Sequence, residues 1–512
     1  MTGRPKGKGA AMRRTIERLT GLALAILVAT APAVHAQKKQ NPLAGLDELI
    51  ESVRTAWGIP GLAVGIVKDD SLVYARGFGV REMGKPEAVD ANTVFAIGSN
   101  TKSFTSLAAA MLVDEKKLGW DDKVIDRYPG FKLFDPYVTR EINIRDILSH
   151  RSGLGRRGDA LWYGTNYSRE EIIRRIRFLE PNAPFRTEMG YQNIMFLTAG
   201  EIVGKVSGLG WDRFIQERIF QPLGMSRSTT SVKALPGQSN VSTPHAIADG
   251  RGTPIPWRDI DNVAPAGSIN SSIVDMAKYV RLHLANGKFQ GKQLVSVGNL
   301  GVTKTPHVNT GGAGDSLTHF SSYGLAWVLL DYRGRKIAWH NGGIDGMLSE
   351  MWTVPDENLG VVVLTNGSPH AAGPPIVRTI IDRYLIGKAA KDYNAEALAQ
   401  MERVRGFQAA ARAKRDSAHV TGTKPSLALA AYAGTYTDEM YGDVTVAVDG
   451  SGLALGYQSF RIPLGHWHFD NFKAETAPNA PFADAMVTFQ LDASAKVASV
   501  EVAGLGSFKR RE

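Results

Sequence analysis

The apolar positions of "NPLAGLDELIESVRTAWG" recur at helical spacing, which predicts an amphipathic helix near residue 50. Two strand-like runs follow, "GLAVGIV" and "SLVYARGFG", separated by "KDD", and they read as a β-hairpin. From about residue 99 to 300 the pattern is mostly helical with long loops; "SLAAAMLVDEKKLGW", "REEIIRRIRFLE" and "FLTAGEIVGKVSG" are the strongest helical runs. Residues 230–270, rich in Pro, Gly, Ser and Thr, are a candidate cover for a cleft. Strand-like runs return over 319–366 as "HFSSYGLAWVLLD", "RKIAWHNGG", "MLSEMWTVP" and "LGVVVLTNG". The simplest packing joins the first hairpin to these late strands in one antiparallel sheet, with the helical middle inserted. Helices on such a sheet give an α+β layer architecture.

A break follows. "DYNAEALAQMERVRGFQAAARAKRDSAHVTGTKPS" reads as a charged helix and then a polar segment, so residues 389–427 are assigned to a helical linker. From 428 the texture changes to short strands and turns: "GDVTVAVDGSGLALGY", "SFRIPL", "HWHFD", "AMVTFQL" and "KVASVEVAG". This spacing predicts a small antiparallel β-barrel over 428–512. At the other end, Arg13, Arg14 and Arg18 precede "GLALAILVATAPAV", and "VHA" ends at Ala36. That order is a secretory signal peptide, so residues 1–36 are expected to be removed and the product to be periplasmic or secreted. The segment from Met12 is a complete signal by itself, which leaves Met1 and Met12 as candidate starts. The apolar run is too short to span a bilayer, and no membrane span is expected after cleavage.

Composition narrows the function classes. Of 512 residues, 43% are apolar and 21% charged, ordinary for a globular protein. The formal charge is +10, but residues 1–36 hold six Lys or Arg against one Glu, so about half of it belongs to the signal. The rest is spread along the chain without a basic tract interleaved with aromatics, so nucleic acid is not an expected partner. There is no cysteine, which excludes disulfides, a lipoprotein anchor, thiol catalysis and Cys-ligated zinc. Neither H-E-x-x-H nor G-x-S-x-G occurs, so zinc proteases and α/β-hydrolases lose their signatures.

"FAIGSNTKSFT" contains a local conflict. Ser99 stands where the N-cap of the next helix belongs, and such a helix should carry Glu or Gln three residues on. It carries Lys102 instead, a cation at the positive end of the helix dipole. Residues three apart share a helix face, so the amine can stand beside the hydroxyl. Broken local rules concentrate at functional sites. Alone, the pair is a weak signal.

Two further segments sharpen it. "MGYQNIMF" places Tyr191 and Asn193 just before a helix, and "IAWHNGGIDGM" places His340, Asn341 and Gly342 at the end of a strand. Ser-x-x-Lys, then Tyr-x-Asn, then His-x-Gly resembles the β-lactamase-like serine hydrolases, which include class C β-lactamases, D-Ala-D-Ala carboxypeptidases, D-aminopeptidases and certain esterases. "DILSHRSGL", "FQPLGMSRST", "PAGSINSSIVDMAKYV", "YGLAW" and "VVVLTNG" resemble further blocks in family order, so residues 43–388 are assigned to one hydrolase domain. The part from "YAGTY" onward is similar, more loosely, to a lipocalin-like barrel appended to some members. The resemblance implies a β-lactamase/transpeptidase-like antiparallel sheet flanked by helices.

It also implies roles. Ser99 is the nucleophile of an acyl-enzyme, and a serine hydroxyl needs a base to take its proton. No histidine stands where the family would use one, and the resemblance assigns the task to Tyr191 with Lys102. A desolvated lysine loses affinity for its proton, whereas a cationic one favours the phenolate of Tyr191; both patterns are open. Asn193 is implied to donate to the substrate carbonyl and help hold Lys102. The backbone N–H groups of Ser99 and Gly343 form the implied oxyanion hole, and Gly342 and Gly343 let substrate lie as an added strand. Many β-lactamases and carboxypeptidases carry lysine at the place of His340; a mostly neutral histidine leans toward aminopeptidase, amidase or esterase chemistry. No cofactor or metal is expected. His466 and His468 are expected to line the barrel, and His150 to be structural. The expected function is an exported peptidase or amidase, D-aminopeptidase-like, on small or cell-wall peptides. A β-lactamase or esterase on the same fold, and a ligand-binding protein that uses the barrel, are the alternatives.

Overall fold

The computed structural model describes residues 3, 41–311, 316–476 and 482–511. The expected signal peptide falls on residues 1–36, of which only Gly3 is described.

The sheet begins with the predicted hairpin. β1 (Gly61–Lys68) is buried along nearly its whole length and turns into β2 (Ser71–Gly79). Lys68 faces Ser71, and the intervening Asp69 and Asp70 both have positive φ, 49° and 60°. Two left-handed residues in a two-residue loop match the twist of paired strands, and Asp tolerates that conformation. The chain rejoins this sheet at β3 (Val308–Gly311), β4 (Ser321–Tyr323), β5 (Val328–Tyr332), β6 (Arg335–Ile344), β7 (Met347–Val354) and β8 (Leu359–Thr365). All pairings are antiparallel, in the order β2-β1-β8-β7-β6-β5-β4-β3. The first strand thus pairs with the last, Leu62 opposite Thr365, and the helical middle is an insertion.

One predicted strand divides. "HFSSYGLAWVLLD" is β4 and β5 folded back on each other, with Tyr323 opposite Val328. Tyr323, Leu325, Ala326 and Trp327 are all buried, so the bend carries no polar punctuation in the sequence. Ala326 sits at φ 72°, and a Cβ on Gly324 would lie 2.4 Å from the Thr303 carbonyl oxygen.

The helices that matter for the site are α1 (Leu46–Ala56), α2 (Thr101–Asp114), α3 (Asn193–Ser207), α4 (Ile273–Leu284), α5 (Gly373–Ile386) and α6 (Tyr393–Ser417). On α4, Ile273 fills the space above Gly65 and Val280 the space above Gly360. α5 starts against Glu350, whose partner is Val363, a position of opposite parity to Gly360. Successive strand residues point to opposite faces, so α4 and α5 cover opposite sides of the sheet. α2 is buried from Thr101 through Leu112 and packs against α3. A helix buried on nearly every side holds a central position, and this one buries polar residues as well as apolar ones. α6 buries only Tyr393 of its 25 residues. Among the described residues no helix is long and apolar enough to cross a membrane.

The C-terminal part is a closed antiparallel barrel of eight strands: β9 (Gly434–Asp438), β10 (Gly442–Asp449), β11 (Gly452–Tyr457), β12 (Phe460–His468), β13 (Asn471–Ala474), β14 (Met486–Leu491), β15 (Val497–Val502) and β16 (Gly506–Arg510). β16 closes on β9. Large buried side chains such as Tyr436, Leu455, Phe472, Phe489 and Phe508 form its core. "SFRIPL" and "HWHFD" form one strand rather than two, with a register shift between His466 and His468. Neither histidine lines the barrel as expected. His466 is exposed and its Nε2 stands 2.9 Å from the Phe469 carbonyl, while His468 Nδ1 accepts from the Val420 amide at 3.2 Å.

Candidate active site

Gly98–Asn100 form a single 3-10 turn that runs into α2. This tightening moves the cap position to Asn100, so Ser99 is not the N-cap the sequence suggested. Its Oγ instead accepts a hydrogen bond from Lys102 Nζ at 2.9 Å. The turn is pinned to β7: Asn100 Nδ2 donates to Ser349 Oγ at 2.8 Å, and Ser349 Oγ donates to the Ile97 carbonyl at 2.7 Å.

On its other side the turn meets the end of β6 backbone to backbone. A Cβ on Gly342 would lie 1.9 Å from the Ile97 carbonyl oxygen and 2.8 Å from the Ser99 nitrogen. A Cβ on Gly98, at φ 50°, would lie 2.5 Å from the Gly343 nitrogen. Only glycine permits such an approach, and it brings the backbones of Ser99 and Gly343 together. β6 pairs with β7 through Ile344 but with β5 only as far as Trp339, which leaves an unpaired edge along 340–344.

Lys102 is fully buried; its second hydrogen bond goes to the Ala266 carbonyl at 2.7 Å, and Nζ lies 4.9 Å from the centroid of the Tyr191 ring. Burial holds its proton affinity well below that of an ordinary lysine; Asp159 opposes this and Arg156 adds to it. Burial pushes the Tyr191 phenol up, against the adjacent Ser99 hydroxyl and Arg156. Desolvation disfavours the charged form of both groups, so the surroundings favour a neutral amine beside a neutral phenol. The phenolate alternative left open by the sequence is the disfavoured one.

The Tyr191–Asn193 turn is held from behind. His150, buried and at φ 59°, accepts the Gln192 amide on Nδ1 at 3.1 Å, and its ring centroid lies 4.2 Å from that of Tyr191. Gln192 caps α3, its side-chain oxygen accepting from the Ile194 amide at 3.0 Å.

Two of the expected roles do not match the geometry. Asn193 Nδ2 donates to Asp159 Oδ1 at 3.0 Å, while the hydrogen bonds of Lys102 go to Ser99 and Ala266. His340 is 2% exposed and its ring is fixed within the protein. Its Nδ1–H donates to the Asn341 carbonyl at 2.5 Å and its Nε2 accepts from the Tyr323 hydroxyl at 3.0 Å. Burial, with Lys102 nearby, pushes its pKa down to about 3. It is a neutral buttress between β6 and β4, not a group that faces substrate.

Ser99, Tyr191, Asn193 and Gly343 open onto a cleft of about 240 Å³. Ile260, Val263 and Ala266, from the end of the Gly- and Pro-rich segment, form one wall. Arg156, Asp159 and Trp162 line the cleft as well. Asp159 also accepts from Trp162 Nε1 at 2.8 Å, and burial pushes its carboxyl up. Arg156 places its guanidinium 4.4 Å from the Tyr191 ring centroid. Sequence reasoning missed this charged pair, because an acid in the loop "GLGRRGDALW" carries no periodicity that says where it points.

Known proteins share this framework. A hydrolase of Aspergillus violaceofuscus named unguisins hydrolase ungD is 29% identical over 433 residues, covering 78% of this chain and 76% of that protein. The structure of the octameric penicillin-binding protein homologue from Pyrococcus abyssi superposes with a TM-score of 0.61 at 24% identity, over 90% of this chain and 98% of that one. The crystal structure of SurE with D-Leu does so with a TM-score of 0.53 at 20% identity, over 92% and 99%. The model of a domain of unknown function (DUF3471) matches residues 418–510. The model described as Beta-lactamase matches residues 46–383, about two thirds of the chain, and with the turn, helix and strand that assemble around Ser99 it establishes that this chain belongs to the beta-lactamase family of serine hydrolases.

Proposed function

We propose that the chain is a peptidase or amidase of D-aminopeptidase type that acts on small peptides through an acyl-enzyme on Ser99. The observation that carries this reading is the buried Lys102 amine, 2.9 Å from Ser99 Oγ. In its neutral form the amine takes the hydroxyl proton as Oγ attacks the amide carbonyl. The carbonyl oxygen becomes an oxyanion beside the Ser99 and Gly343 N–H groups, and one such donor lowers the barrier by about 3–4 kcal/mol. The proton passes through the Tyr191 hydroxyl to the leaving amine, and the C–N bond breaks. Water then attacks the ester, giving its proton back along the same pair, and Ser99 is regenerated. No cofactor takes part.

The substrate side follows from charge. His340 is neutral and turned toward Tyr323, so position 340 does not supply the fixed cation that would favour a dedicated carboxypeptidase or β-lactamase. The charged groups on the cleft are Asp159, whose carboxyl suits the free amine of a small peptide, and Arg156, whose guanidinium suits a carboxylate on the same substrate. A relative named as a hydrolase and a SurE structure solved with D-Leu support hydrolysis of substrates with D-residues as the class to try first. The charged, apolar and small-residue order of residues 1–36 supports a site of action in the periplasm or outside the cell.

The test is intact-mass analysis after treatment with a fluorophosphonate, followed by a substrate panel. One adduct on Ser99, absent from Ser99→Ala, is expected. D-aminoacyl p-nitroanilides should then show higher kcat/KM than nitrocefin or p-nitrophenyl esters. No adduct on the folded protein ends the serine-hydrolase reading, and nitrocefin or ester turnover well above that of every anilide ends the peptidase reading.

A further inference from the structure

The cleft wall that carries Arg156, Asp159 and Trp162 is held from outside by the C-terminal barrel. Its 3-10 segment, Arg156–Leu161, buries only Gly158 and Leu161, so the hydrolase core anchors it at few points. Barrel hydroxyls supply further anchors. Tyr441 donates to the Arg157 carbonyl at 3.0 Å, Tyr457 to the Ala160 carbonyl at 2.9 Å and Ser459 to the Gly164 carbonyl at 2.6 Å. The last two donors belong to the hairpin between β11 and β12. At its tip Phe460 stacks on Tyr163, ring centroids 6.0 Å apart and planes 10° apart. A Cβ on Gly164 would lie 2.3 Å from that phenyl ring, so the loop fits the barrel as closely as the barrel fits the loop. Tyr163 in turn donates to Asp345 at 2.6 Å, two residues past Gly343, and Asp345 also takes Arg258 Nε at 2.8 Å.

We infer that the barrel is a positioning element of the active site: the β11–β12 hairpin, through Tyr457 and Phe460, sets the cleft wall that meets the substrate beyond its scissile carbonyl. This rests on the serine-hydrolase reading and extends it, giving the barrel a part in substrate selection rather than a ligand of its own. Its large buried side chains agree with that division of labour. Orientation of a bound substrate is sensitive to displacements of about 1 Å in the groups that hold it. Loss of the hairpin contacts should therefore weaken binding of a substrate that reaches the wall and leave the Ser99–Lys102 pair alone.

The experiment compares full-length wild type, Tyr457→Phe, Phe460→Ala, the double variant and Phe460→Tyr. Each is assayed with p-nitrophenyl acetate, whose acetyl group is too small to reach the wall, and with a bulky D-aminoacyl p-nitroanilide. In the double variant KM for the anilide should rise about tenfold with kcat within about twofold. Acetate kinetics and the rate of Ser99 phosphonylation should stay within about twofold, and Phe460→Tyr should behave as wild type. Tyr457→Phe removes one hydroxyl and keeps the buried ring; it should raise the anilide KM by about threefold. Wild-type KM in that variant and in Phe460→Ala overturns the inference, as does a loss shared equally by both substrates and by phosphonylation. If wild-type Ser99 takes no phosphonate, the reading beneath fails and this one with it.

Discussion

Lys102→Met should lower the acylation rate about 10³-fold, within the range expected for removal of a positioned general base, and leave KM nearly unchanged. The reason lies in what surrounds the amine. Among the described residues it has no ion-pair partner; its hydrogen bonds go to a hydroxyl and a carbonyl, and it is fully buried. An amine in that setting releases its proton readily and is then free to accept one from Ser99. Methionine matches the length and volume of the side chain, so the helix and cleft should keep their shape. The melting temperature should change little, because the lost hydrogen bond to the Ala266 carbonyl is offset by no longer burying an amine. Lys102→Arg should be as inactive, since a guanidinium does not deprotonate in this pH range. Single-turnover kinetics with an activated ester separate this step from deacylation. A variant retaining more than a tenth of the wild-type acylation rate would assign the base to another group.

Gly342→Ala should reduce kcat by about 10²–10³, the effect of losing an oxyanion donor, and should also lower the melting temperature. Here the obstacle is backbone, not a movable side chain. The added methyl would lie 1.9 Å from the Ile97 carbonyl oxygen, so the Ser99 turn and β6 must separate. That separation pulls the Ser99 and Gly343 N–H groups out of register with a developing oxyanion. Gly343→Ala is the comparison that makes the claim specific. Its methyl would meet Leu348 Cδ2 at 2.9 Å, the end of a flexible side chain that can move aside. Gly343→Ala should therefore be at least about tenfold less damaging to kcat than Gly342→Ala. Equal losses in the two variants, measured as kcat on one anilide with melting curves alongside, would contradict the close-approach explanation.

Much of this fold was legible because period and punctuation agree. The first hairpin has an apolar run, a two-aspartate turn and a second run, and its turn residues adopt the left-handed conformation that aspartate tolerates. The motif residues Ser99, Lys102, Tyr191, Asn193, Gly342 and Gly343 could be picked out because their spacing matches one constellation. What was hidden has a common physical cause: side-chain direction and turn type depend on distant partners. The bend between β4 and β5 lies among buried apolar residues, so nothing polar announces it. His340 was placed on the right strand, but its ring faces the Tyr323 hydroxyl, a contact made by another strand. The cap shifted from Ser99 to Asn100 because the first turn is 3-10, and its ties run to Ser349, far along the chain. Asp159 and Arg156 lie in a short 3-10 segment that the barrel holds from outside, and no local pattern could place them.

The neutral amine of Lys102 is tested most directly by the pH dependence of Ser99 phosphonylation, followed by intact mass under pseudo-first-order conditions. The base form is the unprotonated one, and burial lowers the affinity of Lys102 for its proton. The rate should therefore rise with pH along a single limb whose midpoint lies well below the ordinary lysine value of about 10.4, then level off; Lys102→Met should abolish the limb. A limb at the ordinary lysine value, or the same limb in Lys102→Met, would show that the group activating Ser99 is not a desolvated lysine.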